Sequence, residues 1–97
     1  MPAYVVAQVR FTDEPAYRRY QARFPQVFAG SGGRVLAADE SPRRLSGDWP
    51  FDKLVIMEFP DEATADAFLN SEAYREISKD RDAGAETVGV LVRGIRS

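Results

Sequence analysis

Ala3-Tyr4-Val5-Val6-Ala7-Gln8-Val9-Arg10-Phe11 is a stretch with two unlike sides. Ala3, Val5, Ala7, Val9 and Phe11 make one wholly apolar side, and Tyr4, Val6, Gln8 and Arg10 make a mixed one. Alternation of period two marks a strand, and its apolar side is expected to lie under helices. The period then changes. Asp13-Glu14-Pro15 supplies an N-cap acid, a second acid at the positive helix end and a proline in the first turn. Tyr17, Tyr20, Phe24, Val27 and Phe28 follow at helical spacing as a single apolar stripe. Pro25 lies inside that stripe, so the helix is expected to kink or end near Phe24. Gly30-Ser31-Gly32-Gly33 closes the segment.

The same reading continues outward. Arg34 to Ala38 is a second strand, and Leu54 to Phe59 a third with Val55, Met57 and Phe59 on one side and Leu54, Ile56 and Glu58 on the other. Asp39 to Asp52 joins them through two prolines and one glycine, too long for a tight hairpin. Pro60 and Asp61 open a second helix with Ala65, Phe68 and Leu69 in its stripe; Ser71 is a fresh N-cap that restarts it as far as Ala83. Thr87 to Val92 is the fourth strand. Residues 1–97 are read as one domain.

Strand–helix–strand–strand–helix–strand with right-handed crossovers predicts an α+β, ferredoxin-like fold. Its four-stranded antiparallel sheet has the order 4-1-3-2, with the helices on one face. The other face is then bare. Val6, Leu36, Leu54, Ile56 and Leu91 are assigned to it, an apolar patch that a homodimer formed through the open sheet face would cover.

Composition excludes whole chemistries. The 97 residues contain no Cys and no His. Thiolate nucleophiles, disulfides, His-containing triads and His- or Cys-ligated metals are therefore out of reach. No metal and no cofactor is expected. A net charge of −2 and a pI near 5.1 offer no field for nucleic acid or an anionic membrane. No apolar run approaches membrane-spanning length and no targeting segment is read, so a cytoplasmic protein is expected.

A few side chains stand out against this background. Tyr4, Arg34, Glu58 and Arg93 fall near one edge of the predicted sheet. Glu58 shares its side with Leu54 and Ile56, a poor place for a lone charge. It is either the carboxylate of a ligand site or one half of a structural pair with Arg34 or Arg93. Trp49, in the proline-flanked loop with Arg44 and Asp48, either caps a pocket or stacks on a flat ligand, or else plugs the open end of the dimer or packs on its own chain. Tyr17 is a stripe aromatic whose hydroxyl needs a partner if buried. Tyr74 and Arg81, two helical turns apart, form a pocket wall or a helix anchor. The glycines at 30, 32 and 33 lack the context of a phosphate loop and are read as a helix stop.

Several short patterns coincide along the chain: Tyr17 with Tyr20, Gly32-Gly33-Arg34, Leu45-x-Gly47-Asp48-Trp49, Val55-Ile56-Met57-Glu58-Phe59-Pro60, Ser71-x-x-Tyr74, Arg81, and Val90-Leu91-Val92-x-Gly94. In order and spacing they resemble the bacterial family called domain of unknown function 1330, within the dimeric α/β-barrel superfamily. Phe68 stands where that family often has Trp, and Ala73 where it often has an acid. The resemblance implies a ferredoxin-like fold and a homodimer, and it supplies no reaction.

Two functional readings follow. The first is a non-catalytic structural or small-molecule-binding homodimer. As a purely structural module it would hold Glu58 in a complete salt bridge and have no cavity of ligand size, whereas a binder would hold its ligand in a pocket of each subunit. The alternative is a cofactor-free enzyme, isomerase- or monooxygenase-like, acting on a small carbonyl, enol or lactone compound. It would use Glu58 as base, Arg34 as anion clamp and Tyr17 as donor, around a cavity to which Glu58 is open.

Overall fold

The computed structural model describes residues 1–95. Its elements are β1 (Ala3–Phe11), α1 (Glu14–Phe28), β2 (Arg34–Asp39), β3 (Lys53–Phe59), α2 (Glu62–Leu69), α3 (Glu72–Gly84) and β4 (Ala85–Arg93). The helix starts are where the caps place them. Asp13 accepts from the Ala16 N–H, Asp61 from Thr64 and Ser71 from Tyr74. Ser71 also donates its hydroxyl to the Phe68 carbonyl at 2.8 Å, so the break between α2 and α3 is capped from both sides.

The strands pair antiparallel in the order β2-β3-β1-β4, the expected arrangement counted from the opposite edge. The core lies between the sheet and the helices. Phe59 and Ile77 are fully enclosed there, beside Val5, Val9, Met57, Phe68 and three tyrosines: 17, 20 and 74. The end of α3 meets the start of α1 at Gly84, whose carbonyl accepts from the Thr12 and Asp13 N–H groups at 2.9 and 3.0 Å.

Two expectations change. The first helix neither ends at Phe24 nor breaks at Pro25; it continues to Phe28, with the Ala29 N–H bonded to the Pro25 carbonyl at 3.0 Å. The turn beyond the proline carries Phe28, whose ring lies 5.3 Å from Phe68 and 6.0 Å from Phe59. Burying that ring outweighs the hydrogen bond that proline cannot make. Next, Leu91 is not on the bare face: it opposes Val5 and packs towards the helices. Val88, Val90 and Val92 take the bare side instead, opposite Gln8, Val6 and Tyr4, and all three are exposed. The structure adds a feature of its own: the β2–β3 register slips between Val35 and Ala37, a bulge at Leu36 that leaves Ala37 opposite Ile56.

Candidate functional site

A cavity of about 450 Å³ lies between the covered face of the sheet and the helices. Val5, Val9, Val55 and Met57 from the sheet and Phe24 and Leu69 from the helices give it apolar walls. Its polar groups are Tyr17, Tyr20, Gln21, Tyr74, Thr87, Lys53 and Arg81. Local sequence explains each position. Tyr17 and Tyr20 belong to the α1 stripe; Arg81 stands two turns after Tyr74 on α3. Lys53 opens β3 on the same side as Val55, Met57 and Phe59.

At one part of the wall the Arg81 Nη1 donates to the Tyr74 hydroxyl oxygen at 2.9 Å, and the Tyr74 and Tyr20 hydroxyls are 3.1 Å apart. Asp82 accepts from both Nε and Nη2 of Arg81 and fixes the guanidinium. The two phenols hold two protons, but only one proton can sit between their oxygens. The other O–H is therefore left to point elsewhere, from a pair that is otherwise buried. Burial pushes the Tyr20 phenol well above its ordinary pKa, reinforced by Tyr74, and pushes Tyr17 up to about 12. These groups stay protonated at neutral pH. The Thr87 Oγ1 is shut off from solvent and has no partner among the described residues.

Lys53 lies elsewhere in the same cavity. Its side chain is 5% exposed, its Nζ is 5.0 Å from the centre of the Tyr17 ring, and the Glu40 carboxylate is 3.6 Å away. Glu40 is in turn held by Arg18 through two hydrogen bonds of 2.6 and 2.8 Å. Burial lowers the pKa of the Lys53 ammonium, and Glu40 only partly restores it. The bonds from Arg18, together with the nearby cations, hold the Glu40 carboxyl down at about 2. Of the charged residues, Lys53 and Arg81 line the cavity; no Asp or Glu among the described residues does.

Glu40 makes a stability prediction. A carboxyl that titrates near 2 in the folded chain and near its ordinary value when unfolded stabilises the fold above about pH 4.5. That contribution is lost as pH falls from there towards 2. Urea midpoints measured across that window should fall more steeply for the natural chain than for Glu40→Gln. Equal slopes would mean that the Arg18 pairing contributes nothing.

The residues singled out from sequence fall into separate places. Tyr17, Tyr74 and Arg81 line the cavity. Glu58 and Arg34 do not: they oppose each other on the bare side of the sheet, with Arg34 Nε donating to Glu58 Oε1 at 2.6 Å. The two side chains are 22% and 72% exposed, and together they line a smaller hollow with Pro2 and Gly33. Strand alternation puts Glu58 on the side of Leu54 and Ile56, so it cannot act as base on a ligand that Tyr17 touches. Arg93 opposes Ala3, towards the helices, and pairs with Glu62 at 2.9 Å. Trp49 packs on Phe51, ring centres 5.4 Å apart, and lines neither hollow; its indole N–H is enclosed without a partner among the described residues.

Sequence reading missed Lys53 and Thr87. Lys53 was detectable: starting the third strand one residue earlier puts a lysine in an otherwise apolar row. Among the described residues no cluster of three or more Asp or Glu side chains could hold a metal ion, and no helix is long and apolar enough to cross a membrane.

Comparison with solved structures agrees with this architecture. A protein of unknown function from Rhodopseudomonas palustris superposes with a TM-score of 0.81 at 22% identity, over 99% of this chain and 84% of that one. SnoaB from Streptomyces nogalater, a cofactor-independent oxygenase, gives 0.74 at 14% identity over 99% and 95% of the two chains. A dimeric ferredoxin-like protein of unknown function from Thermobifida fusca gives 0.67 at 15% identity, covering 95% and 90%. Comparison with curated proteins found no match to the chain. The family model described as a domain of unknown function (DUF1330) matches residues 2–95, and the chain, with its ferredoxin-like α+β fold, belongs to that family.

Proposed function

We propose that this protein is a homodimeric small-molecule-binding module whose ligand occupies the cavity between helices and sheet. The ligand class is a flat, mainly apolar molecule bearing an anionic or carbonyl oxygen. One observation carries this reading: an apolar cavity of ligand size whose charged lining residues are both cations and whose buried tyrosine pair has a proton to donate. A cationic or purely aliphatic ligand would leave those groups unmatched. The dimer would form through the bare sheet face, where Val88, Val90 and Val92 are exposed. The expectation of a cytoplasmic location rests on the sequence.

Native mass spectrometry tests ligand and assembly together. With 2-naphthoate or 2-naphthol as probe, a dimer carrying one probe per chain is expected, whereas 2-naphthylmethylammonium should not be retained. Tyr20→Phe should weaken binding about fivefold, the worth of roughly 1 kcal/mol for one hydrogen bond. A monomer with no affinity for either naphthalene oxygen compound would overturn the reading.

The second reading, a cofactor-free oxygenase, is favoured by the likeness to SnoaB and by the two cations, which would stabilise an enolate or phenolate. Glu58 takes no part in it. Oxygen uptake with an enolisable aromatic ketone, above the rate without protein, would support this reading; binding without uptake would leave the binder.

A further inference from the structure

We propose that Lys53 is a covalent capture site, its ε-amino group forming a protonated imine with an aldehyde or ketone held in the cavity. The inference rests on the cavity being a ligand site and adds a chemistry to it. The chain has two lysines, and they differ sharply. Lys79 is 74% exposed and paired with Glu76 at 2.8 Å on the surface of α3. Lys53 is 5% exposed, and its side chain ends within a wall of the cavity, over the Tyr17 ring.

Imine formation needs a neutral amine, a carbonyl carbon held against it, and surroundings that tolerate the product. Desolvation favours the neutral amine, as in other lysines that work as nucleophiles. The cavity supplies the second requirement by holding the carbonyl beside the nitrogen. In the reaction the Nζ lone pair forms a bond to the carbonyl carbon, and a proton from nitrogen passes to the oxygen. The carbinolamine hydroxyl then takes from solvent the proton that the Lys53 ammonium gave up on becoming neutral. Its C–O bond breaks, water leaves, and the C=N⁺–H group remains, its proton the second of the amine's own. There is no change of oxidation state. The product carries the same single positive charge as the ammonium, so the Glu40 carboxylate at 3.6 Å neutralises both alike. Tyr17 stays a phenol throughout and leaves no competing anion beside the iminium.

The test incubates the full chain with 2-naphthaldehyde and sodium cyanoborohydride at pH 7. Fragment masses locate the reduced adduct, and retention of 2-naphthol is measured in parallel by native mass spectrometry. Labelling of Lys53 at least about tenfold faster than Lys79 or the N-terminal amine is expected, because binding raises the local concentration of carbonyl. Excess 2-naphthol should suppress it. Lys53→Arg, which keeps the charge and removes the primary amine, should lose the adduct. The site is located in the natural chain, so the result stands even if the variant folds poorly. If 2-naphthol binds while Lys79 or the N-terminus labels as fast as Lys53, the imine is wrong and the cavity reading survives. If neither probe is retained and Lys53 is unlabelled, both fall.

Discussion

Gly84→Ala is expected to destabilise the fold by about 3 kcal/mol or more, the upper end of overpacking costs. A Cβ at this position would lie 2.3 Å from the Tyr17 nitrogen, 2.9 Å from the Tyr17 Cα and 2.7 Å from the Asp13 oxygen. All three are backbone atoms, so no rotamer change relieves the clash. The start of α1 would have to move off the end of α3, stretching the hydrogen bonds from Thr12 and Asp13 to the Gly84 carbonyl. A domain of this length has roughly 5–15 kcal/mol of stability in all, so the loss is a large fraction. Because Tyr17 lines the cavity, affinity for 2-naphthoate should fall as well. Urea denaturation followed by circular dichroism gives the size; a change below about 1 kcal/mol would mean the helices do not approach this closely.

Phe59→Ala is expected to cost about 3–5 kcal/mol, the usual range for removing an enclosed aromatic ring. Phe59 has no exposed surface. Its ring sits 5.8 Å from Phe68 and 6.0 Å from Phe28, and faces the missing side chain of Gly33, where a Cβ would come within 2.6 Å of it. Backbone from the turn before β2 therefore closes directly over the ring. Truncation leaves a void that neither the turn nor the helices can fill without losing their own contacts. Thermal unfolding of the variant should begin well below that of the natural chain. Near-equal stability would require the surrounding rings to collapse inward, which the tight approach at Gly33 opposes.

Much of the fold was legible because its signals are local. Alternation in Ala3–Phe11 and in Leu54–Phe59, the capping acids at Asp13 and Asp61, and Ser71 each report on a few neighbouring residues. The failures involve forces from further away. Pro25 discourages a helix, yet the packing of Phe28 against two other rings carries α1 through it. Leu91 and Val90 differ in place by one residue, and only the register against β1 says which faces the helices. Glu58 and Arg34 could be paired from sequence because both sit near one end of the sheet. Tyr17 could not be separated from them, since the side of the sheet each residue faces emerges only once all the strands are aligned. The cavity was the least legible feature. Its volume depends on how far α1 and α3 stand off the sheet, and no single residue states that distance.

The buried tyrosine pair has a consequence for selectivity. Its shared proton has two arrangements: Tyr74 donates to Tyr20, or Tyr20 donates to Tyr74. The outward O–H therefore has two possible origins 3.1 Å apart, exchanged by rotation of two hydroxyls with no movement of heavy atoms. A ligand whose oxygen is displaced by about two bonds along a ring system still meets a donor, with Arg81 fixed behind the pair in both arrangements. Such a wall discriminates weakly among positional isomers, so the choice between them passes to the shape of the apolar surface opposite.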